Sequence, residues 1–158
     1  MIIKNAKIVN AVDDSLTEGS IYFKDKILSI DKQIDISSEE SYDAEGAYAL
    51  PGLIDAHTHI EISMARPSVF GSEVAKCGTT SLVCDPHDIC NVVGYQIGDF
   101  IKEAHASQPN FYFMLPPTIP STKYKESSGY ETNPQDFFKR LGNRKIHWCW
   151  RVYRLSNF

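Results

Sequence analysis

His57 and His59 are separated by one residue in the stretch PGLIDAHTHIE, residues 51–61, with Asp55 two places before the pair and Glu61 two places after it. Further on, Asp85 and His87 flank Pro86. Imidazole nitrogens and carboxylate oxygens hold catalytic divalent ions, a neutral imidazole binding at about 2.0–2.1 Å. Alternate side chains of a strand share a face, so Leu53, Asp55, His57 and His59 should point one way and Ile54, Ala56, Thr58 and Ile60 the other. Two positions along a strand advance about 6.6 Å, close enough for two rings to lean toward one ion. A bare His-x-His is short and common by chance, and its plain alternative is a pair of hydrogen-bonded core or site-lining rings. The flanking carboxylates favour a metal, because burying charge at a strand end without compensation is costly. His57 and His59 are therefore the predicted metal ligands, and an ion needs further ligands from elsewhere.

The elements that must position these groups follow from pattern. The first fifty residues read as a small β unit. A strand spans 2–10, and a hairpin turns at Lys24–Lys26 with Ile21, Phe23, Ile27 and Leu28 around it. A polar turn over 11–19 joins the two, and 35–46 read as loop. From Pro51 strands and helices alternate: a strand over 52–59, a helix over 67–78 stopped by Gly78, and a strand over 79–85 cut off by Pro86. A single helix over 88–107 would place Val93, Ile97, Phe100, Ile101 and Ala104 on one face. A strand over 110–115 and a loop over 121–132 precede a last helix over 133–142, with Asn133 as N-cap, Pro134 at its first position and Gly142 as its stop. Asp88 reads as an N-cap, Thr79 and Thr80 as strand packing, and the Phe and Tyr residues of the third strand as core.

Alternating strands and helices imply an α/β fold with parallel strands covered by helices. No Gly-rich loop follows a strand, which disfavours a dinucleotide-binding sheet and favours the start of a (β/α)8 barrel. The pair at 57 and 59 then lies at the C-terminal end of the first barrel strand, where barrel active sites are built.

A longer pattern carries a resemblance. HTHIEISM at 57–64, GTTSLVCDPHDICNVVG at 78–94 and FYFMLPPTIPST at 111–122, after a small β unit running into LPGLIDAHTHIE, resemble the adenine deaminase family of the amidohydrolase superfamily. Its corresponding stretches read close to HTHIESSM, GTTTVVADPHEIANV and FFMLPSCVPAT. This sequence departs at Ile62 for Ser, Asp88 for Glu and Cys90 for Ala. The resemblance implies a metal-dependent hydrolase barrel, of which this chain holds a small N-terminal β domain (1–50) and the first three βα units (51–142), incomplete. It implies hydrolytic deamination of adenine to hypoxanthine and ammonia, with manganese or iron at the site, zinc being an alternative, and a homo-oligomeric full-length enzyme. By position, His57 and His59 match the metal pair, while Glu61, Asp85 and His87 match site-lining or substrate-binding positions. Capping the next helix, or bonding Asp85, stays open for His87. A divalent ion suits such chemistry because it lowers the pKa of a bound water from 15.7 toward about 7.

The tail, NRKIHWCWRVYRLSNF at 143–158, departs from that pattern. It holds both tryptophans, and it is basic in a chain whose net charge is −4. The family has a Gly-Leu-Gly-Glu-like fourth strand here. One permitted codon choice for residues 146–158, read one base later, gives Phe-Ile-Gly-Ala-Gly-Glu-Phe-Ile-Asp-Tyr-Gln-Ile. We therefore expect a frameshifted, prematurely ended and inactive copy.

Composition bounds the rest. A chain of 158 residues, 42% hydrophobic, is long enough for a core. A net charge of −4 and a pI near 5.7 do not suggest a nucleic-acid or anionic-membrane partner. The start MIIKNAKIVN lacks a signal-peptide layout, and a cytoplasmic protein is expected. Cys77, Cys84, Cys90 and Cys149 form no CxxC pair and read as buried thiols. Three other readings stand beside the deaminase: a cytosine-type or cyclic-amide amidohydrolase, a non-catalytic fragment that associates with a full-length relative, and an open α/β binding domain.

Overall fold

The structure is a computed structural model that describes residues 1–34, 36–116, 118–120, 122 and 127–132. The helix predicted over 133–142 and the tail over 143–158 lie outside the described residues, as does Cys149. The chain divides into two compact units, Met1–Pro51 and Gly52–Phe158.

The first unit is a five-stranded sheet. β1 (Ile2–Asn10) pairs antiparallel with β2 (Ser15–Phe23), and β2 pairs antiparallel with β3 (Ile27–Asp31). Two short strands, β4 (Ser41–Asp43) and β5 (Tyr48–Ala49), run parallel to β1 on its other edge. Ala6, Ile8 and Ile21 form its small core, with Ile3, Phe23, Ala44 and Ala49 packed against them. Two expectations are corrected here. The polar turn predicted over 11–19 shrinks to 11–14, because side chains close it early: Asn10 Oδ1 accepts the Val12 amide and Asp13 Oδ1 that of Ser15. The loop predicted over 35–46 contains β4, recruited through the Asn5 amide, which donates to both Asp43 oxygens at 3.0 and 2.9 Å.

The second unit holds three parallel strands in the order β6 (Leu53–Thr58), β7 (Thr79–Cys84), β8 (Asn110–Phe113). After β6 a 3-10 turn, Glu61–Ser63, leads to α1 (Pro67–Lys76), whose first residue is a proline with no amide to leave unsatisfied. Gly78, at φ +89°, supplies the left-handed residue that ends the helix and starts β7. On the helix-covered face Ile60, Leu82, Cys84, Ala104, Phe111 and Phe113 form a core, with Phe70, Val74, Phe100 and Ile101 against it. The alternation that buries Phe111 and Phe113 leaves Tyr112 45% exposed on the opposite face, against the expectation that all the third-strand aromatics are core.

The helix predicted over 88–107 is two helices, α2 (His87–Val93) and α3 (Gly98–His105). The break falls at Gly94, with φ +62° and ψ −138°. It turns Tyr95 and Ile97 into a second core with Cys90, Leu115 and Ile119, and the Tyr95 hydroxyl donates to the Pro116 carbonyl at 2.8 Å. Arg66, just before α1, clamps Glu103 of α3 with Nη2–Oε2 at 2.8 Å, and this guanidinium, with the Ser68 hydroxyl, holds the Glu103 carboxyl down to about 2. Parallel β-α-β connections with helices on one face of the sheet are the opening units of a (β/α)8 barrel.

Candidate metal centre

β6 carries His57 near its C-terminal end, and His59 follows just beyond the strand, which stops at Thr58 and not at 59. The Asp85 amide donates to the Thr58 carbonyl at 2.8 Å and the Met114 amide to the Cys84 carbonyl at 2.8 Å, so the C-terminal ends of the three strands are laced together. Ile60, fully buried, anchors the chain just beyond β6. The two rings sit side by side, 5.1 Å between centroids and tilted by 43°. His57 Nε2 lies 3.5 Å from Asp85 Oδ2, and Asp85 is 6% exposed. One ligand atom each from His57, His59 and Asp85 lies within 4.8 Å of the others, at the mouth of the sheet.

Asp55 does not join them. Its Oδ1 turns back to accept the His57 amide at 3.1 Å. Glu61 leaves the strand altogether: it lies on the 3-10 turn, where its Oε1 accepts the amides of Asp88 at 2.9 Å and Ile89 at 3.4 Å. This corrects the sequence reading of the helix start. Asp88 is not the N-cap of α2; it sits inside the first turn, and the side chain that satisfies the helix amides comes from Glu61, twenty-seven positions upstream. Burial pushes the Glu61 carboxyl above its ordinary value, and the neighbouring Asp88 charge adds to this, while the amide bonds oppose it. His87 opens α2, mostly buried, with Nδ1 4.0 Å from Asp88 Oδ1, and is outside the His57–His59–Asp85 group.

Asp88 is the residue that sequence reasoning missed. Its Oδ2 lies 3.6 Å from His59 Nδ1, and His59, Glu61 and Asp88 form a second set of ligand atoms within 4.8 Å of one another. An acid in the first turn of a helix opposite a His-x-His strand end was its available signal, but the contact depends on a fold that brings the two together. Cys84, buried in the helix-covered core, has its thiol pushed up to about 12 by burial and by the charges of Glu61 and Asp55, so it stays protonated. Cys90 is also buried, whereas Cys77 is exposed, contrary to the expectation that the thiols are all buried.

The donor set suits a divalent ion. His59 Nδ1 is shut off from solvent and has no hydrogen-bond partner among the described residues. A buried nitrogen without a partner is costly unless something binds it. Imidazole and carboxylate together suit zinc, iron or manganese.

The amidohydrolase family profile matches residues 48–146. The chain belongs to the amidohydrolase family. Among curated relatives, it is 37% identical over 127 residues to an adenine deaminase of Leuconostoc mesenteroides subsp. mesenteroides, a match covering 79% of this chain and 23% of the relative. It is 36% identical over 146 residues to an adenine deaminase of Archaeoglobus fulgidus, covering 92% of this chain and 26% of the relative. The chain thus spans about a quarter of the length of these relatives. Among solved structures, the L-hydantoinase (dihydropyrimidinase) of Arthrobacter aurescens superposes with a TM-score of 0.59 at 23% identity, over 76% of this chain and 28% of that one. Molinate hydrolase superposes with a TM-score of 0.54 at 16% identity, over 89% of this chain and 36% of that one. These likenesses establish the fold, and the family implies a divalent metal. No helix among the described residues is long and apolar enough to cross a membrane.

Proposed function

We propose that these residues form the amino-terminal part of the metal centre of a cytoplasmic hydrolase that deaminates adenine to hypoxanthine and ammonia. The observation that carries this reading is the convergence of His57, His59 and buried Asp85 within 4.8 Å at the strand ends. The 36–37% identity to adenine deaminases supports the choice of substrate. His57 and His59 hold the ion through ring nitrogens, and Asp85 faces the same point with a carboxylate. A bound divalent ion, manganese or iron by preference with zinc as the alternative, supplies Lewis acidity and acidifies water. Asp85, with Oδ2 3.5 Å from His57 Nε2, would balance the ion's charge. Glu61 and His87 line the approach, Glu61 by tying the 3-10 turn to the start of α2. In the reaction the C6–N bond breaks as water adds, and one proton passes from that water to the departing ammonia.

Two measurements test this. Manganese bound by the purified chain is counted by equilibrium dialysis, and His57→Ala or His59→Ala should lower affinity at least tenfold. Separately, residues 1–132 replace the matching stretch of the Leuconostoc mesenteroides relative, and ammonia release from adenine is followed. The chimera should turn over adenine, and His57→Ala in it should not. A metal-loaded, folded chimera that ignores adenine and hydrolyses cytosine or a hydantoin would overturn the substrate.

A further inference from the structure

α2 is seven residues long, His87–Val93, and a helix that short does not hold its shape alone in water. Its position is set by what grips it. At its start the Glu61 carboxylate accepts the Asp88 and Ile89 amides, and in its middle Cys90 is fully buried in the second core. The far end of a helix leaves backbone carbonyls without partners inside it. One of these, the carbonyl of Asn91, accepts the Gly129 amide at 2.8 Å and the Ser128 hydroxyl at 2.9 Å. The segment that brings these donors is pinned again at Thr132. Its amide donates to the Ile119 carbonyl at 2.9 Å, and its hydroxyl accepts the Ile119 amide at 3.1 Å. Between the two anchors Tyr130 lays its ring against Gly94, so close that a Cβ there would run into the ring. Gly94 is thus glycine for two reasons, its φ of +62° and the ring packed on its backbone.

We propose that Ser128, Gly129 and Tyr130 form a strap that sets the position of α2, which makes Tyr130 a positioning residue of the metal centre. The strap holds one end of α2, and Glu61, two residues after His59, holds the other. The first turn of α2 carries Asp88, whose Oδ2 stands 3.6 Å from His59 Nδ1, with His87 beside it. A seven-residue helix spans only about 10 Å, so a tilt at the strapped end moves Asp88 by a comparable amount. That movement takes negative charge away from a ring that is to hold a cation. The attraction between two charges is about fourfold weaker through bulk water than near a protein surface. Coupling of this kind is reciprocal, so an ion that fixes His59 and Asp88 should also tighten the strap. The inference rests on the proposed metal centre only for its effect on ion binding; the hold of the strap on α2 does not need it.

Two readings on the full 158-residue chain test this: amide exchange of Asp88 and Ile89 followed by NMR in chelator, and manganese chloride binding by equilibrium dialysis. Tyr130→Ala should speed exchange at both amides by about threefold or more. It should weaken manganese binding by about three- to tenfold, less than the roughly 10–100-fold typical of a group bonded to a ligand directly. Tyr130→Phe keeps the ring and should match wild type in both readings. Ser128→Ala removes only one donor to the Asn91 carbonyl, and it serves if Tyr130→Ala does not fold; both readings should move the same way by less. Gly71→Ala crowds α1 and not α2, so it should lower the melting temperature and leave manganese affinity unchanged. That contrast separates positioning from a general loss of stability. Wild-type exchange at Asp88 and Ile89 in folded Tyr130→Ala overturns the proposal. So does wild-type manganese affinity in Tyr130→Ala where His57→Ala binds weakly, since Tyr130 is then packing alone. If His57→Ala binds manganese as wild type does, while Tyr130→Ala still speeds the two amides, the metal reading fails and the strap's hold on α2 stands.

Discussion

At the scale of single residues, the site is governed by how each carboxylate is used. Asp55, Glu61, Asp85 and Asp88 all lie near the histidines in sequence or space, yet only Asp85 is buried against a ring, while Asp55 is spent on its own backbone. Glu61 is the informative one. Burial raises its carboxyl above the usual range, so its proton is held more tightly in the folded chain than in the unfolded one. Such a group stabilises the fold most below its unfolded value, and that contribution is lost as pH rises through the raised folded value. Glu61→Gln mimics the protonated form. In chelator at neutral pH it should therefore melt above wild type, the difference vanishing toward acid. Thermal melts across pH in chelator read the sign. Identical melts in chelator at every pH would show that Glu61 is not desolvated. That the rings of His57 and His59 lie side by side was legible in the sequence, because a spacing of two residues is local. The Glu61 cap and the Asp88 contact were not, because each depends on β6 and α2 meeting.

At the scale of elements, β1, α1 and β7 were readable because each repeats its buried positions at its own period, whereas β6, exposed from Leu53 to His57, was readable from its apolar residues after Pro51–Gly52. The split between α2 and α3 was not. The apolar spacing of Val93, Ile97, Phe100 and Ile101 runs straight across Gly94, and one glycine inside a helical pattern is tolerated. The choice is made by Tyr95 reaching the Pro116 carbonyl, twenty-one residues away. β4 and β5 escaped notice for a related reason: strands of three and two residues exist only because β1 pairs with them. Close approach at the helices also reverses a usual rule. Gly→Ala in a helix ordinarily stabilises by about 0.4–1 kcal/mol. At Gly98, in the first turn of α3, an added Cβ would meet open space, so Gly98→Ala should gain about that amount. Gly71 is buried in α1, and a Cβ there would run into the Gln108 carbonyl oxygen and the Phe111 ring. Backbone cannot swing aside as a side chain can, so an overpacking cost of about 1–3 kcal/mol should outweigh the gain. Gly71→Ala should thus lower the melting temperature by about 2–6 °C while Gly98→Ala raises it slightly. Calorimetry on the two variants decides, and a rise for both would mean that α1 does not press on the segment before β8.

At the scale of the whole molecule, three parallel strands are a small part of a barrel that needs about 250 residues. Among the described residues β6 pairs with β7 alone, on one of its two edges. Its side chains are no better covered: Leu53 is 52% and Ile54 68% exposed. The first unit has a weakness of a different kind. An apolar hollow of about 960 Å³ is lined by Ile3, Ile21, Phe23, Ile27 and Ile30 among others, the last two on the five-residue outer strand β3. Apolar hollows attract without direction, whereas a bare parallel-sheet edge templates ordered pairing with another chain. Self-association led by β6 should therefore respond to one charge on that strand. Ile54→Lys gives up little packing, since most of its side chain is already in water, and surface changes of this kind usually cost within about 0.5 kcal/mol. It also places on the edge the residue type that natural sheets use to block pairing. Sedimentation velocity over a concentration series should show wild type forming larger species and Ile54→Lys remaining smaller, with superimposable circular dichroism. An unchanged size distribution would move the cause to the hollow of the first unit, where Ile30→Lys is the matching substitution.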